Sequence, residues 1–341
     1  MLAKKHIWIK LGLLALAVRT FFSFFPELAQ TVYQRGFYQI FRIIWDYTLG
    51  LLQFPLIYLL VIVLLIWIWR KWRMSKKVVV LREIPLRIAS VLGFLFFWFH
   101  ILWAFNYQCP GLFPHAAERY TDGMTIEEMT FQAATIATAR RAQFKDHTPV
   151  PEEHKLRALV ESTLADFDYP VWGNVRCRVV SESGTLRRLG ILGIYFPFVG
   201  EGHADGSQLN ISLPFTMAHE MSHGYGVTDE GEANYVAWQS LFNSNEPQLQ
   251  YQADLQLLRS CGSQWVLKDS DAYFSFRASL DSEVIKDIDA INENMRKHPL
   301  YFPGVARKVN DTYLKTQGVN AGVESYDEFV LRCFDYIHAE Q

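Results

Sequence analysis

The chain has no surplus of either charge. Its 33 Lys and Arg stand against 35 Asp and Glu for a formal net charge of -2, which leaves no basic footprint for a phosphate backbone and excludes nucleic acid as a partner. Cysteine is scarce as well. Cys109, Cys177, Cys261 and Cys333 are scattered with no CxxC pair among them, so they build neither a structural metal knuckle nor a redox motif. An even number permits two bridges in an oxidising compartment, and buried free thiols are the alternative. Internal repeats and low-complexity tracts are missing, which excludes solenoids and biased linkers. After about Asn106 no apolar run is long enough to span a bilayer.

What is present is concentrated at the front. Half the residues are hydrophobic and 15% are aromatic, and Ile7 to Phe25, Leu49 to Trp69 and Leu86 to Phe105 each read as a helix able to cross ~30 Å of hydrocarbon. Lys4 and Lys5 before the first run make a cleaved signal peptide its rival, but no small-residue cleavage site follows Phe25. Arg70, Lys71, Arg73, Lys76, Lys77 and Arg82 fill the loop between the second and third runs and assign it to the cytoplasm. The lipid bilayer is then a partner. Three crossings place the remainder on the outer face of a bacterial cytoplasmic membrane, giving a transmembrane anchor over residues 1–105 and an extracytoplasmic domain over 106–341. Tyr33, Phe37, Phe41 and Ile44 recur at near-helical spacing in the outer connection, as an interfacial helix or a packed loop helix.

The second part reads as α+β, with a small mixed sheet early and a mainly helical second half. Thr125-Ile-Glu-Glu128 is a capping box opening one helix, and Pro151 opens another. Strands are expected over Val175 to Val180, Ile191 to Phe198 and Gln208 to Leu213. Helices follow over Phe215 to His223, Asp229 to Leu241, Pro247 to Arg259, Asp281 to Met295, Val305 to Thr316 and Ser325 to Ala339.

The informative stretch is His219-Glu220-Met221-Ser222-His223. Imidazoles four residues apart share one helix face, so both nitrogens reach a single ion at ~2.0–2.1 Å. Glu220 is turned about 100° away from His219, placed to take a proton from water held at that ion. Pro214, a run of apolar neighbours and two closing glycines predict a buried helix, in which unpartnered His and Glu side chains are costly and a metal removes that cost. The expected cofactor is one Zn2+ ion. A third protein ligand is required, and the helix from Asp229 offers Glu230 and Glu232. Glu230 shares a face with Ala233, Asn234 and Ala237 and is favoured; Glu232 points nearly the opposite way and stays in play. Asn234 is placed to orient a ligand histidine.

The pairing of His-Glu-x-x-His with a following Glu-x-x-Ala-Asn helix resembles the gluzincin metallopeptidases, especially membrane-bound types whose second motif is Glu-x-x-x-Asp. The resemblance implies a zincin-like fold, Glu230 as third ligand with Asn234 behind it, and peptide-bond hydrolysis. Asn for Asp and the short gap between motifs depart from that pattern. Trp103-Ala-Phe-Asn-Tyr107, Pro214-Phe-Thr216 and Tyr313-Leu-Lys-Thr-Gln-Gly318 are similar to an uncharacterised bacterial membrane-protein family carrying the same motif, over most of the chain. Zincins often bind the developing oxyanion with Tyr, His or Arg, for which Tyr313, Tyr326 and His203 are available. Gln208 to Leu213 is the strand expected to pair with an extended peptide.

These features point to a membrane-anchored zinc metallopeptidase acting on peptides or proteins near the membrane. The competing class is a membrane scaffold or sensor that binds peptide or metal without turnover.

Overall fold

Apolar side chains must be hidden in a core or left facing lipid, and the two halves of this chain meet that requirement differently. The computed structural model describes residues 6–74, 83–113, 124–180, 184–302 and 325–339. They form two units: Met1–Pro110 with Trp172–Val175 and Phe196–Glu201, and Gly111–Val171 with Arg176–Tyr195 and Gly202–Gln341.

In the first unit α1 (Ile7–Phe24) leads to a stretch of wide π-type turns at Gln30–Phe37, then α2 (Tyr38–Asp46), α3 (Leu56–Met74) and α4 (Ile84–Leu102). α1 packs on α4 through glycine: a Cβ built on Gly12 would lie 2.8 Å from the Gly93 Cα. Such small-residue contacts let helix backbones approach closely in an apolar medium. The end of α4 leaves carbonyls without helical partners, and the Tyr33 hydroxyl donates to two of them, His100 O at 3.1 Å and Ile101 O at 2.9 Å. Arg42 is buried in an ion pair with Asp46 at 2.5 Å. Phe37 and Ile44 are exposed while Tyr33 is buried.

Two helices, α1 and α4, are long and apolar enough to cross a membrane, where three were expected. The middle segment falls short because Leu49–Leu51 is a 3-10 turn and helix starts only at Leu56, while Arg70, Lys71 and Arg73 charge its far end. Leu56 to Trp69 supplies about 21 Å of apolar helix, against a hydrocarbon core of about 30 Å.

The second unit opens its first long helix, α5 (Ile126–Arg141), with the anticipated capping box: Thr125 Oγ1 accepts from Glu128 N at 3.2 Å and Glu128 returns the bond at 2.7 Å. After α6 (Glu153–Asp166) come β1 (Cys177–Val180), β2 (Gly193–Phe196) and β3 (Glu201–Asp205), in sheet order β1-β3-β2. β1 and β3 are parallel, with Cys177 opposite Gly202 and Arg178 opposite His203. Every residue of β3 is buried, polar ones included.

The helical half comprises α7 (Leu213–Tyr225), α8 (Glu230–Phe242), α9 (Pro247–Lys268), α10 (Ser270–Arg277), α11 (Ser282–Arg296) and α12 (Ser325–Ala339). α8 is central, packed on α6, α7, α9 and α12, with Trp238 and Leu241 fully buried. α10 was not foreseen; Asp269 starts it by accepting from Ala272 N at 3.0 Å. The whole is mixed α+β, mostly helical, with three strands among the described residues.

Gln208 to Leu213, expected as a strand, is instead the turn into α7. Ser212 N and Leu213 N both donate back to Leu209 O, at 2.9 and 3.0 Å, so the alternation of Leu209, Ile211 and Leu213 buries side chains without extending the backbone. The expected helix at Val305 to Thr316 lies outside the described residues. All four cysteines are free thiols, three buried and Cys109 half-buried.

Candidate metal centre

Pro214 sits in the first turn of α7, where its missing N–H costs nothing. Gly226 ends the helix at φ +107°, a conformation that a side chain would strain. The chain turns through Val227 and re-enters helix at Asp229, whose carboxylate caps α8 by accepting from Glu232 N at 2.9 Å. This short return brings the first turn of α8 against the last two turns of α7.

Three donor atoms meet there. His219 Nε2 and His223 Nε2 are 3.1 Å apart, and Glu230 Oε2 lies 3.3 Å from the first and 3.7 Å from the second. Two ligands about 2.05 Å from a tetrahedral ion stand about 3.3 Å apart, so the three spacings suit one ion bound by all three. His223 Nδ1 meets the Val227 carbonyl at 2.8 Å. A carbonyl only accepts, so Nδ1 carries a hydrogen, and in the neutral ring Nε2 turns its lone pair to the cluster. The side chains of His219 and Glu230 keep 13% and 18% of their surface exposed, leaving an approach from solvent.

Charge tells the same story. Burial opposes a proton on His223, but Glu230 and then Glu220 outweigh it and push its pKa up to about 9. Burial likewise opposes ionisation of Glu230, yet His223 and His219 hold it well below the usual carboxylate range. Protonated His223 and ionised Glu230 thus stabilise each other.

Glu220 lies beneath the sheet. It is 4% exposed, and burial pushes its pKa upward against the pull of His219 and His223. A Cβ on Gly193 would come 2.5 Å from its Oε1 and 2.7 Å from its Cγ, and one on Gly202 would come 2.8 Å from its Cβ. Only bare backbone fits over this carboxylate. Among the described residues Glu220 Oε2 is buried without a hydrogen-bond partner, a cost that water on a bound ion would remove; His219 Nδ1, on the far side of its ring from the cluster, is buried without one as well.

The other residues singled out by sequence divide. Glu232 is turned away from the cluster and accepts from Leu112 N at 2.8 Å; burial raises its pKa to about 7. Asn234 stands half-buried one turn beyond Glu230, and for His223 the orienting part expected of it is taken by Val227. His203 is fully buried on β3, near enough for its charge to favour ionised Glu220. Tyr313 lies outside the described residues, as does the side chain of Tyr326 at the start of α12. Sequence reasoning missed Val227, Gly193 and Gly202. A glycine inside a strand pattern is the signal for close approach that would have found the last two.

Fold and site define a mostly helical α+β protein with a His/His/Glu cluster and two helices able to cross a membrane. A family model described as "Protein of unknown function (DUF3810)" matches residues 33–332, and the chain belongs to that family. No curated protein and no solved structure matches it.

Proposed function

We propose that the second unit is a gluzincin-like zinc metallopeptidase on a zincin-type fold, hydrolysing peptide bonds in substrates held near the membrane. The observation that carries this is the triangle of His219, His223 and Glu230 donors, with edges of 3.1, 3.3 and 3.7 Å and a neighbouring unpartnered carboxylate at Glu220. Two imidazoles and one carboxylate are the donor set of catalytic zinc sites, which keep one position open. Zinc held there supplies Lewis-acid polarisation of a carbonyl and acidifies water near neutral pH.

The chain's own residues do the rest. His219, His223 and Glu230 hold the ion, and Val227 fixes the His223 ring. Glu220 takes the proton of the attacking water and returns it to the leaving amine; burial raises its pKa above the ordinary carboxylate value, which makes it a stronger base. Strand β2 is at the sheet's edge with Gly193 over Glu220; an extended peptide adds to such an edge by backbone pairing. β2 thus takes the part that sequence gave to Gln208–Leu213.

Tethering by α1 and α4 confines the enzyme to membrane-proximal peptides and proteins. Placement on the outer face requires α3 as a third, short crossing. Its apolar residues from Val61 to Trp69 are exposed on every side, and Arg70, Lys71 and Arg73 can reach outward to the cytoplasmic headgroups.

The test is the full chain purified in detergent and assayed for bound zinc and for cleavage of a peptide library. Glu220→Gln should keep one zinc per chain and lose hydrolysis; equal turnover in wild type and variant would refute the mechanism. A second reading, a peptide- or metal-binding scaffold or sensor without turnover, is favoured by the tight cover over Glu220. It predicts zinc and peptide binding with no cleavage in either form.

A further inference from the structure

Glu230 and Glu232 leave the same first turn of α8 in nearly opposite directions. One joins the two histidines; the other reaches the segment with which the second unit begins. Glu232 accepts the Leu112 amide at 2.8 Å and the Phe113 amide as a second bond. Its carboxylate occupies the place where a side chain on Gly111 would have to go. Phe113 is then wedged edge-on against Tyr235 of α8 at 4.9 Å and against Phe167 at 5.6 Å, with the Arg332 guanidinium 4.5 Å over its ring.

Taking the cluster as a metal centre, we infer that Glu232 is a positioning residue for it: by binding the Leu112 and Phe113 amides it fixes the first turn of α8, and so the bearing of Glu230. The physical reason is the tolerance of coordination. Ligand distances must hold within about 0.2 Å, while the first turn of a helix is the part least restrained by its own hydrogen bonds. Here that turn is held by the Asp229 cap on one side and by the Glu232 clasp on the other. A carboxyl group that accepts two successive amides is a two-point tether, and Glu230 is two residues away along the same backbone.

The test uses the full chain in detergent, loaded with Co2+, whose visible absorption reports coordination geometry. Glu232→Gln keeps size and one acceptor oxygen but replaces the other with an amide NH2 that only donates. Gly111→Ala leaves Glu232 intact and displaces its carboxylate with a methyl group. Each should weaken Co2+ and Zn2+ binding about 10- to 100-fold, as outer partners of metal ligands do. Each should also alter the Co2+ spectrum at saturation, and the two effects should not add in the double variant, because both release one clasp.

Wild-type affinity and spectrum in both variants would overturn the inference. So would a lowered melting temperature with an unchanged saturated spectrum, which marks a merely structural bond. His219→Gln separates the underlying reading: if it binds Co2+ as wild type does, or wild type binds none, there is no metal centre for Glu232 to position and both fall.

Discussion

His219 Nε2 and Glu230 Oε2, on consecutive helices, stand 3.3 Å apart. Neither is held by the other alone: α7 places the first through its i, i+4 pairing with His223, and α8 places the second through the cap at Asp229. Glu230→Gln should therefore leave the helices in place while removing the one anionic ligand, with zinc affinity falling by at least about 100-fold, more than the loss of an outer partner. Chelator competition on the purified chain measures this. Near-native zinc affinity in the variant would remove Glu230 from the ligand set.

Gly193→Ala tests the cover over Glu220. Its Cβ would arrive 2.5 Å from Oε1, so either the carboxylate swings or β2 lifts, at a stability cost of about 1–3 kcal/mol. Bound zinc should be retained, because the ligands lie on α7 and α8, and peptide cleavage should drop by at least about tenfold. Unchanged cleavage would mean that Glu220 does its work from another position.

The helix pair of the centre was legible because its signals are local: four-residue spacing in α7, an N-cap at Asp229, and a helical wheel that already separated Glu230 from Glu232. Spatially distant partners were not. Nothing near Glu232 in the sequence marks Leu112 as its partner, and the burial of Glu201, His203 and Asp205 in β3 contradicts the polar alternation by which strands are recognised. Leu49 to Trp69 reads in the sequence as one full-length span because its hydropathy averages a 3-10 turn with a helix whose end is basic.

A buried acid gives a pH signature of stability. Burial raises the Asp254 pKa to about 7 against the pull of Arg140, 3.2 Å away. The folded chain keeps a proton that the unfolded chain releases near pH 4, so this group's contribution is most favourable below that value and is lost as pH rises to about 7. Each pH unit in that window costs about 1.4 kcal/mol. Asp254→Asn should flatten the dependence, whatever its effect on absolute stability. Thermal unfolding in detergent between pH 4 and 8 decides it, and parallel curves for wild type and variant would refute the assignment.

The side of the membrane follows from parity. With α1 and α4 as the crossings, the start and end of the chain lie on one face; with α3 added they lie on opposite faces. A phosphatase reporter active only outside the cytoplasm, fused after Gln341, should therefore be active if α3 crosses. An inactive but stable fusion would place the second unit in the cytoplasm.

The main chain at Gly193 and Gly202 closes over Glu220 with no side chain as a cushion. The height of the sheet above α7 is thus transmitted to the acid without slack: a strand displaced by the width of a methyl group must rotate Glu220. The orientation of this carboxylate is set by the spacing between two backbones, so a tilt of the sheet would act on Glu220 while the three side chains of the His/His/Glu cluster stay where they are.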